Sequence, residues 1–104
     1  MTELLIDQSL AGFEAGASKA ATMLKALANE KRLMILCKLL ERGEIGVMEL
    51  SSEVGLSQSA LSQHLAKMRE ERIVAFRRDG QSVLYHVADP RITQILANLK
   101  SIFC

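Results

Sequence analysis

The sequence has no tryptophan, one tyrosine and three phenylalanines, too few rings for the stacking platforms that hold single-stranded nucleic acid. It has almost no net charge, a formal +1 at pH 7, so bulk charge by itself names no partner. No apolar run reaches the roughly 18 residues that would mark a membrane span. The N-terminus lacks the basic segment, apolar core and small-residue cleavage pattern of a secretory signal. The expectation is a cytoplasmic protein with no membrane partner. Cysteine is scarce, with only Cys37 and Cys104, and in a reducing compartment a thiol pair is more often a signal than a staple. The chain has no Cys-x-x-Cys, no glycine-rich phosphate loop and no constellation of paired carboxylates with histidine. That argues against a thiol reductase or peroxidase; no enzymatic activity and no cofactor are expected.

What is present is the composition of an ordinary globular protein, 104 residues long. That length fits one domain with a modest core, which oligomerisation would help to stabilise. Charge is unevenly distributed. Lys67, Arg69, Arg72, Arg77 and Arg78 outnumber Glu70, Glu71 and Asp79, whereas Glu3, Asp7, Glu14 and Glu30 outnumber Lys19 and Lys25 before residue 31. A basic second half fits a face turned toward phosphate, although a solvated face of mixed charge would read the same way.

Residues 1–17 are weakly patterned and predict a flexible or partly helical stretch before a domain over 18–104. From Ser18 onward, Ala21, Met23, Leu24, Leu27 and Ala28 recur at helical spacing. Asn29 predicts an N-cap for a second helix, Glu30 to Arg42, with an apolar stripe of Leu33, Leu36, Cys37 and Leu40, widened by Met34 and Ile35, that closes at Gly43. So wide a stripe predicts a nearly enveloped helix. A third helix, Val47 to Val54, stops at Gly55, and Ser57 caps the next one after a single intervening residue. Helix, glycine turn, helix is the sequence form of a helix-turn-helix. The fourth helix turns Leu61, Leu65 and Met68 inward.

Two β-leaning runs, Ile73 to Arg78 and Ser82 to Val87, flank Asp79-Gly80, a strong hairpin signal. Asp89-Pro90 then starts a last helix with the stripe Ile92, Ile95, Leu96, Leu99 and Phe103. The predicted fold is mainly α, a winged helix-turn-helix of five helices with a two-stranded β-hairpin wing. The last stripe is wide for so small a domain, and a homodimer interface shared with the first helix is its economical use.

A helix that reads the major groove of double-stranded DNA needs short polar side chains near its start. Ser57, Gln58, Ser59, Ser62 and Gln63 supply them, Lys67, Arg77 and Arg78 are placed for phosphate, and the amides at the start of the helix add an anion site. A solvated helix face would look similar in isolation; the succession of helix, turn, helix and wing is what favours DNA. His64 reads either way, as a phosphate contact or as a half-buried helical histidine.

Leu24-Lys-Ala-Leu-Ala-Asn-Glu-Lys-Arg-Leu-Met-Ile-Leu36, Glu49-Leu50, Leu56-Ser-Gln-Ser, Leu61-Ser-Gln-His-Leu65 and Tyr85 resemble the ArsR/SmtB family of bacterial winged-helix repressors over about residues 18–104. The resemblance implies a homodimer formed by the first and last helices, binding an imperfectly palindromic operator and released by an inducer. Arg72 departs from it, standing where the family commonly has glycine after the recognition helix.

The family's metal sensors commonly use Cys-x-Cys in the third helix or Asp/His ligands in the last. Here the third-helix positions are Gly46, Val47 and Met48, and the last helix has no histidine, so no metal site is expected. On composition alone Cys37 reads as an inert buried cysteine and Cys104 as a terminal thiol without a role. The segments Leu33-Met-Ile-Leu-Cys37 and Leu99-Lys-Ser-Ile-Phe-Cys104, however, resemble those of the BigR/SqrR/HlyU-type subgroup. That resemblance implies sensing of reactive sulfur species, persulfides derived from hydrogen sulfide, through a Cys37/Cys104 disulfide or polysulfide bridge that releases the DNA. A terminal Cys104 would react first if Cys37 were shielded. The competing readings are a response to general oxidants, and a derepressor or protein-interaction module on the same scaffold without persulfide specificity.

Overall fold

In the computed structural model, residues 2–104 are described, with side chains from residue 12 onward, so the expected flexible stretch over 1–17 lies in large part outside the described side chains. Five helices and three strands follow in the order α1 (Thr2–Leu27), α2 (Glu30–Arg42), β1 (Ile45–Gly46), α3 (Val47–Val54), α4 (Gln58–Glu70), β2 (Val74–Asp79), β3 (Ser82–Val87) and α5 (Pro90–Phe103).

The helix starts follow their capping chemistry. The side chains of Asn29, Ser57 and Asp89 accept from the backbone N–H of Arg32, Ala60 and Arg91, satisfying donors that the first turn leaves without partners. Gly55 takes φ 69° after α3, and Ser51 Oγ donates to the Leu56 carbonyl, closing the short turn between α3 and α4.

The end of α4 is a Schellman motif made without glycine. Ile73 N–H donates to Met68 O at 2.9 Å and Arg72 N–H to Arg69 O at 3.0 Å, while Arg72 itself takes φ 62°. Ile73 and Met68, the two apolar residues that flank such a turn, are both buried. The position where the family resemblance expects glycine thus does require the left-handed conformation, and an arginine adopts it.

The hairpin pairs Arg78 with Val83 and Asp79 with Ser82, so the two turn residues are Gly80 and Gln81 rather than Asp79 and Gly80. Gly80 takes φ 65° and Gln81 stays on the negative side, as a II′ turn requires. A third strand that the sequence did not announce, β1, pairs antiparallel with β3 through Ile45–Tyr85 and Gly46–Leu84, giving the order β1-β3-β2. Two residues are too few to display an alternating pattern.

The core joins Leu27, Ile35, Leu36, Leu39, Leu50, Leu61, Leu65, Met68, Ile73, Ile92 and Leu96. As expected, Leu61, Leu65 and Met68 are the inward residues of α4. The stripe of α2 is rotated from expectation: Ile35, Leu36 and Leu39 are buried, Leu33 and Leu40 only pack against the core, and Cys37 is exposed. At roughly 100° per residue, Cys37 lies one step round from Leu36, just beyond the buried arc. The helix is therefore not enveloped. Among the described residues, no helix is long and apolar enough to cross a membrane.

Candidate DNA interface and thiol pair

The outer face of α4 carries Gln58, Ser59, Ser62, Gln63 and Lys67, all exposed, with Ser57 at its cap also exposed. The buried Leu61, Leu65 and Met68 fix the rotation of the helix about its axis, and so decide which residues face out. These polar residues form one surface because their apolar neighbours are anchored.

The wing is set against this helix by contacts from its last turn. The Arg69 guanidinium lies over the Phe76 ring, 5.1 Å from the centroid, and Phe76 packs on its cross-strand partner Tyr85 at 5.4 Å. Of the two wing cations, Arg77 is engaged: its Nε and Nη2 donate to Glu44 Oε2 and Oε1 at 2.7 and 2.9 Å. That fork holds the Glu44 carboxyl below the usual carboxylate range, chiefly through the hydrogen bond, and raises Arg77 in turn. Arg78, next along the strand and so on its opposite face, is exposed and makes no ion pair among the described residues.

His64 is half-buried at the edge of the α4 face. Its Nδ1 accepts from Arg32 Nε at 3.3 Å. Burial first, and the Arg32 charge second, push its pKa below the ordinary histidine value, favouring the neutral ring. Arg32 also donates from Nη1 to the Ala26 carbonyl at 3.0 Å and lies 4.0 Å from Glu71 Oε1.

Sequence reasoning did not single out Glu44, Arg32 or Glu71. Arg77 and Glu44 are 33 positions apart, and Arg32 and His64 are 32; no local pattern couples residues at such separations.

The two thiols are free, and both are exposed. Cys37 lines an apolar groove of 590 Å³ with Ala28, Leu33, Met34 and Val54, and Cys104 caps α5, its N–H donating to Lys100 O at 2.9 Å. The buried reading of Cys37 does not survive, nor does the premise that Cys37 is shielded while Cys104 is open. Among the described residues, no three His, Cys, Asp or Glu side chains converge into a metal-binding group.

The family model described as "Bacterial regulatory protein, arsR family" matches residues 29–75, from the α2 cap to the start of the wing. The chain is 43% identical over 95 residues to the HTH-type transcriptional regulator YgaV of Escherichia coli (strain K12), covering 91% of this chain and 96% of that protein. Among solved structures, the transcriptional repressor BigR from Xylella fastidiosa superposes with a TM-score of 0.85 at 37% identity, covering 90% of this chain and 95% of that one. Reduced HlyU from Vibrio cholerae N16961 superposes with a TM-score of 0.81 at 44% identity, covering 89% and 97% respectively. These relatives are transcription regulators and not enzymes. With the winged helix-turn-helix in place and similarity running over nearly the whole of both chains, this chain is a DNA-binding transcriptional regulator belonging to the bacterial arsR family.

Proposed function

We propose that this regulator is a homodimeric repressor that senses reactive sulfur species through Cys37 and Cys104 and leaves its operator when the two are bridged. The observation that carries the reading is that both cysteines of the chain are free and exposed, one on α2 and the other at the end of α5. Apolar side chains left exposed on the first and last helices, Phe13, Leu24, Ile102 and Phe103, support a dimer through those helices. Double-stranded DNA is read by Gln58, Ser59, Ser62 and Gln63, with phosphate contacts from Ser57, His64, Lys67 and Arg78, while Arg77 reaches phosphate only where its pair with Glu44 opens.

The chemistry balances with an organic persulfide as oxidant. One thiolate takes the outer sulfur of the persulfide and releases the parent thiol, leaving a protein persulfide. The second thiolate attacks the cysteine sulfur of that adduct, forms the Cys37–Cys104 disulfide and expels hydrogen sulfide. The persulfide gains two electrons and the thiol pair loses two; retention of additional sulfane sulfur from further persulfide gives a longer bridge. A bridge ties the end of α5 to α2 and shifts the dimer helices, so the two α4 helices no longer match major grooves roughly 34 Å apart.

Intact-mass measurement beside operator binding tests this. After persulfide treatment, the wild type should show an intramolecular crosslink and weakened DNA binding. Cys37→Ser and Cys104→Ser should form no such crosslink and keep their affinity. A double mutant that still released DNA on treatment would overturn the switch, and equal sensitivity of the wild type to peroxide would replace persulfide by oxidants in general.

A further inference from the structure

We infer that Arg32 is a positioning residue for DNA binding: it fixes His64 as the neutral Nε2–H tautomer and aims that N–H, from the edge of α4, at a DNA phosphate. The inference rests on the reading that the α4 face meets DNA.

The argument starts from donor and acceptor inventories. A guanidinium has only donors, so where Arg32 Nε–H meets His64 Nδ1 at 3.3 Å the ring nitrogen must supply a lone pair. Nδ1 therefore carries no proton, and a neutral imidazole then holds its proton on Nε2. Protonating Nδ1 would set two donors against each other. Burial of the ring and the adjacent Arg32 charge both disfavour the imidazolium, in agreement with that geometry.

Nε2 has no hydrogen-bond partner among the described residues, yet it is not among their buried unpartnered atoms; it opens to solvent. It is a donor with a fixed direction on the helix that carries Ser62, Gln63 and Lys67. The orientation is held from behind. Arg32 Nη1 is tied to the carbonyl of Ala26 in the last turns of α1 at 3.0 Å and lies 4.0 Å from Glu71 Oε1 at the end of α4. One guanidinium thus joins α1, α2 and α4.

A neutral donor has a distinctive signature. Lysine or arginine on phosphate releases counterions, steepening the salt dependence of binding by about 0.9 per contact; a neutral N–H adds affinity and leaves that slope unchanged. His64→Ala should therefore weaken operator binding about tenfold, the worth of one neutral hydrogen bond in each of two subunits, with no change in slope. Arg32→Gln should cost a similar factor in the wild-type background and little more in the His64→Ala background. Arg32→Lys, which keeps the charge and loses the planar fork, should fall between. Far-UV circular dichroism and thermal unfolding of each variant confirm that folded proteins are compared.

Nitrogen-15 spectra of the imidazoles in the DNA-free protein read the tautomer directly and do not depend on DNA contact. The expected result at pH 7 is Nε2–H in the wild type and a mixture in Arg32→Gln. An Nδ1–H ring or an imidazolium in the wild type overturns the inference, as does a fully additive Arg32→Gln loss. A salt slope that drops by about 1 per subunit in His64→Ala overturns it too, because the ring would then be cationic. The expected tautomer together with unchanged affinity in His64→Ala would place the failure in the DNA-facing reading of α4 rather than in the Arg32–His64 bond, and would equally overturn the inference.

Discussion

Arg77, on the wing, and Glu44, in the link between α2 and β1, form a two-pronged ion pair at 2.7 and 2.9 Å. A carboxylate is thereby placed on the cation that would otherwise be free for a phosphate. The pair holds the base of the wing against the body of the domain, and it also subtracts one charge from the basic side of the molecule.

Glu44→Gln releases Arg77 without removing it. Operator binding should strengthen severalfold at low salt, and the plot of log affinity against log salt should steepen by about 1 per subunit. Filter binding or fluorescence anisotropy over roughly 50–200 mM salt reads both quantities. An unchanged slope would mean that Arg77 does not reach DNA even when unpaired.

Arg72→Gly tests the strained end of α4. A side chain at φ 62° carries a left-handed penalty of about 1 kcal/mol that glycine avoids, partly offset by the greater freedom of glycine when unfolded. Stability to urea should rise by about 0.5–1 kcal/mol. If Arg72 also touches phosphate, DNA affinity falls in the same variant, and the two readouts separate the roles.

Leu61→Ala removes a fully buried side chain at the centre of the helix-turn-helix. A cavity there should cost about 2–5 kcal/mol, a large part of the stability of a domain this size. Ser62→Ala, next to it on the exposed face, should leave stability within about 0.5 kcal/mol and lower operator affinity. Chemical denaturation beside operator binding distinguishes packing from reading.

Acid sensitivity follows from three depressed carboxyls. Arg77 lowers Glu44, Arg42 lowers Glu53 where α2 meets α3, and Arg91 lowers Asp89 at the α5 cap, in each case chiefly by a side-chain hydrogen bond. A carboxyl held below its unfolded value stabilises the fold above that value and loses the contribution as pH falls through the folded one. Stability should therefore slope down gently as pH falls through the unfolded histidine value near 6.5, because the native His64 ring resists protonation, and decline more steeply below the ordinary carboxylate range near 4. Glu53→Gln should lower the neutral-pH stability and make the acid decline shallower, which acid-range denaturation curves will show.

Local signals carried the elements well. Asn29, Ser57 and Asp89 stand at helix starts because side-chain caps act within three residues, and Gly55 stands where the backbone must turn left-handed. The inward residues of α4 were legible because Leu61, Leu65 and Met68 repeat at helical spacing. Less legible was α2, which is apolar on more than half its circumference, so that periodicity could not say which flank faces the core; Cys37 lay at that boundary.

Residue order and spacing suffice to specify the succession of helices and wing and the polar face of α4, since each depends on neighbours within a turn or two, whereas the left-handed turn at Arg72 is flagged only by the family resemblance. Packing between distant segments is what exposes Cys37, adds β1 to the sheet, neutralises Arg77 with Glu44, and leans His64 on Arg32. Those facts depend on how one element is rotated against another. That rotation is set by the sum of buried contacts across the core, which no local spacing encodes.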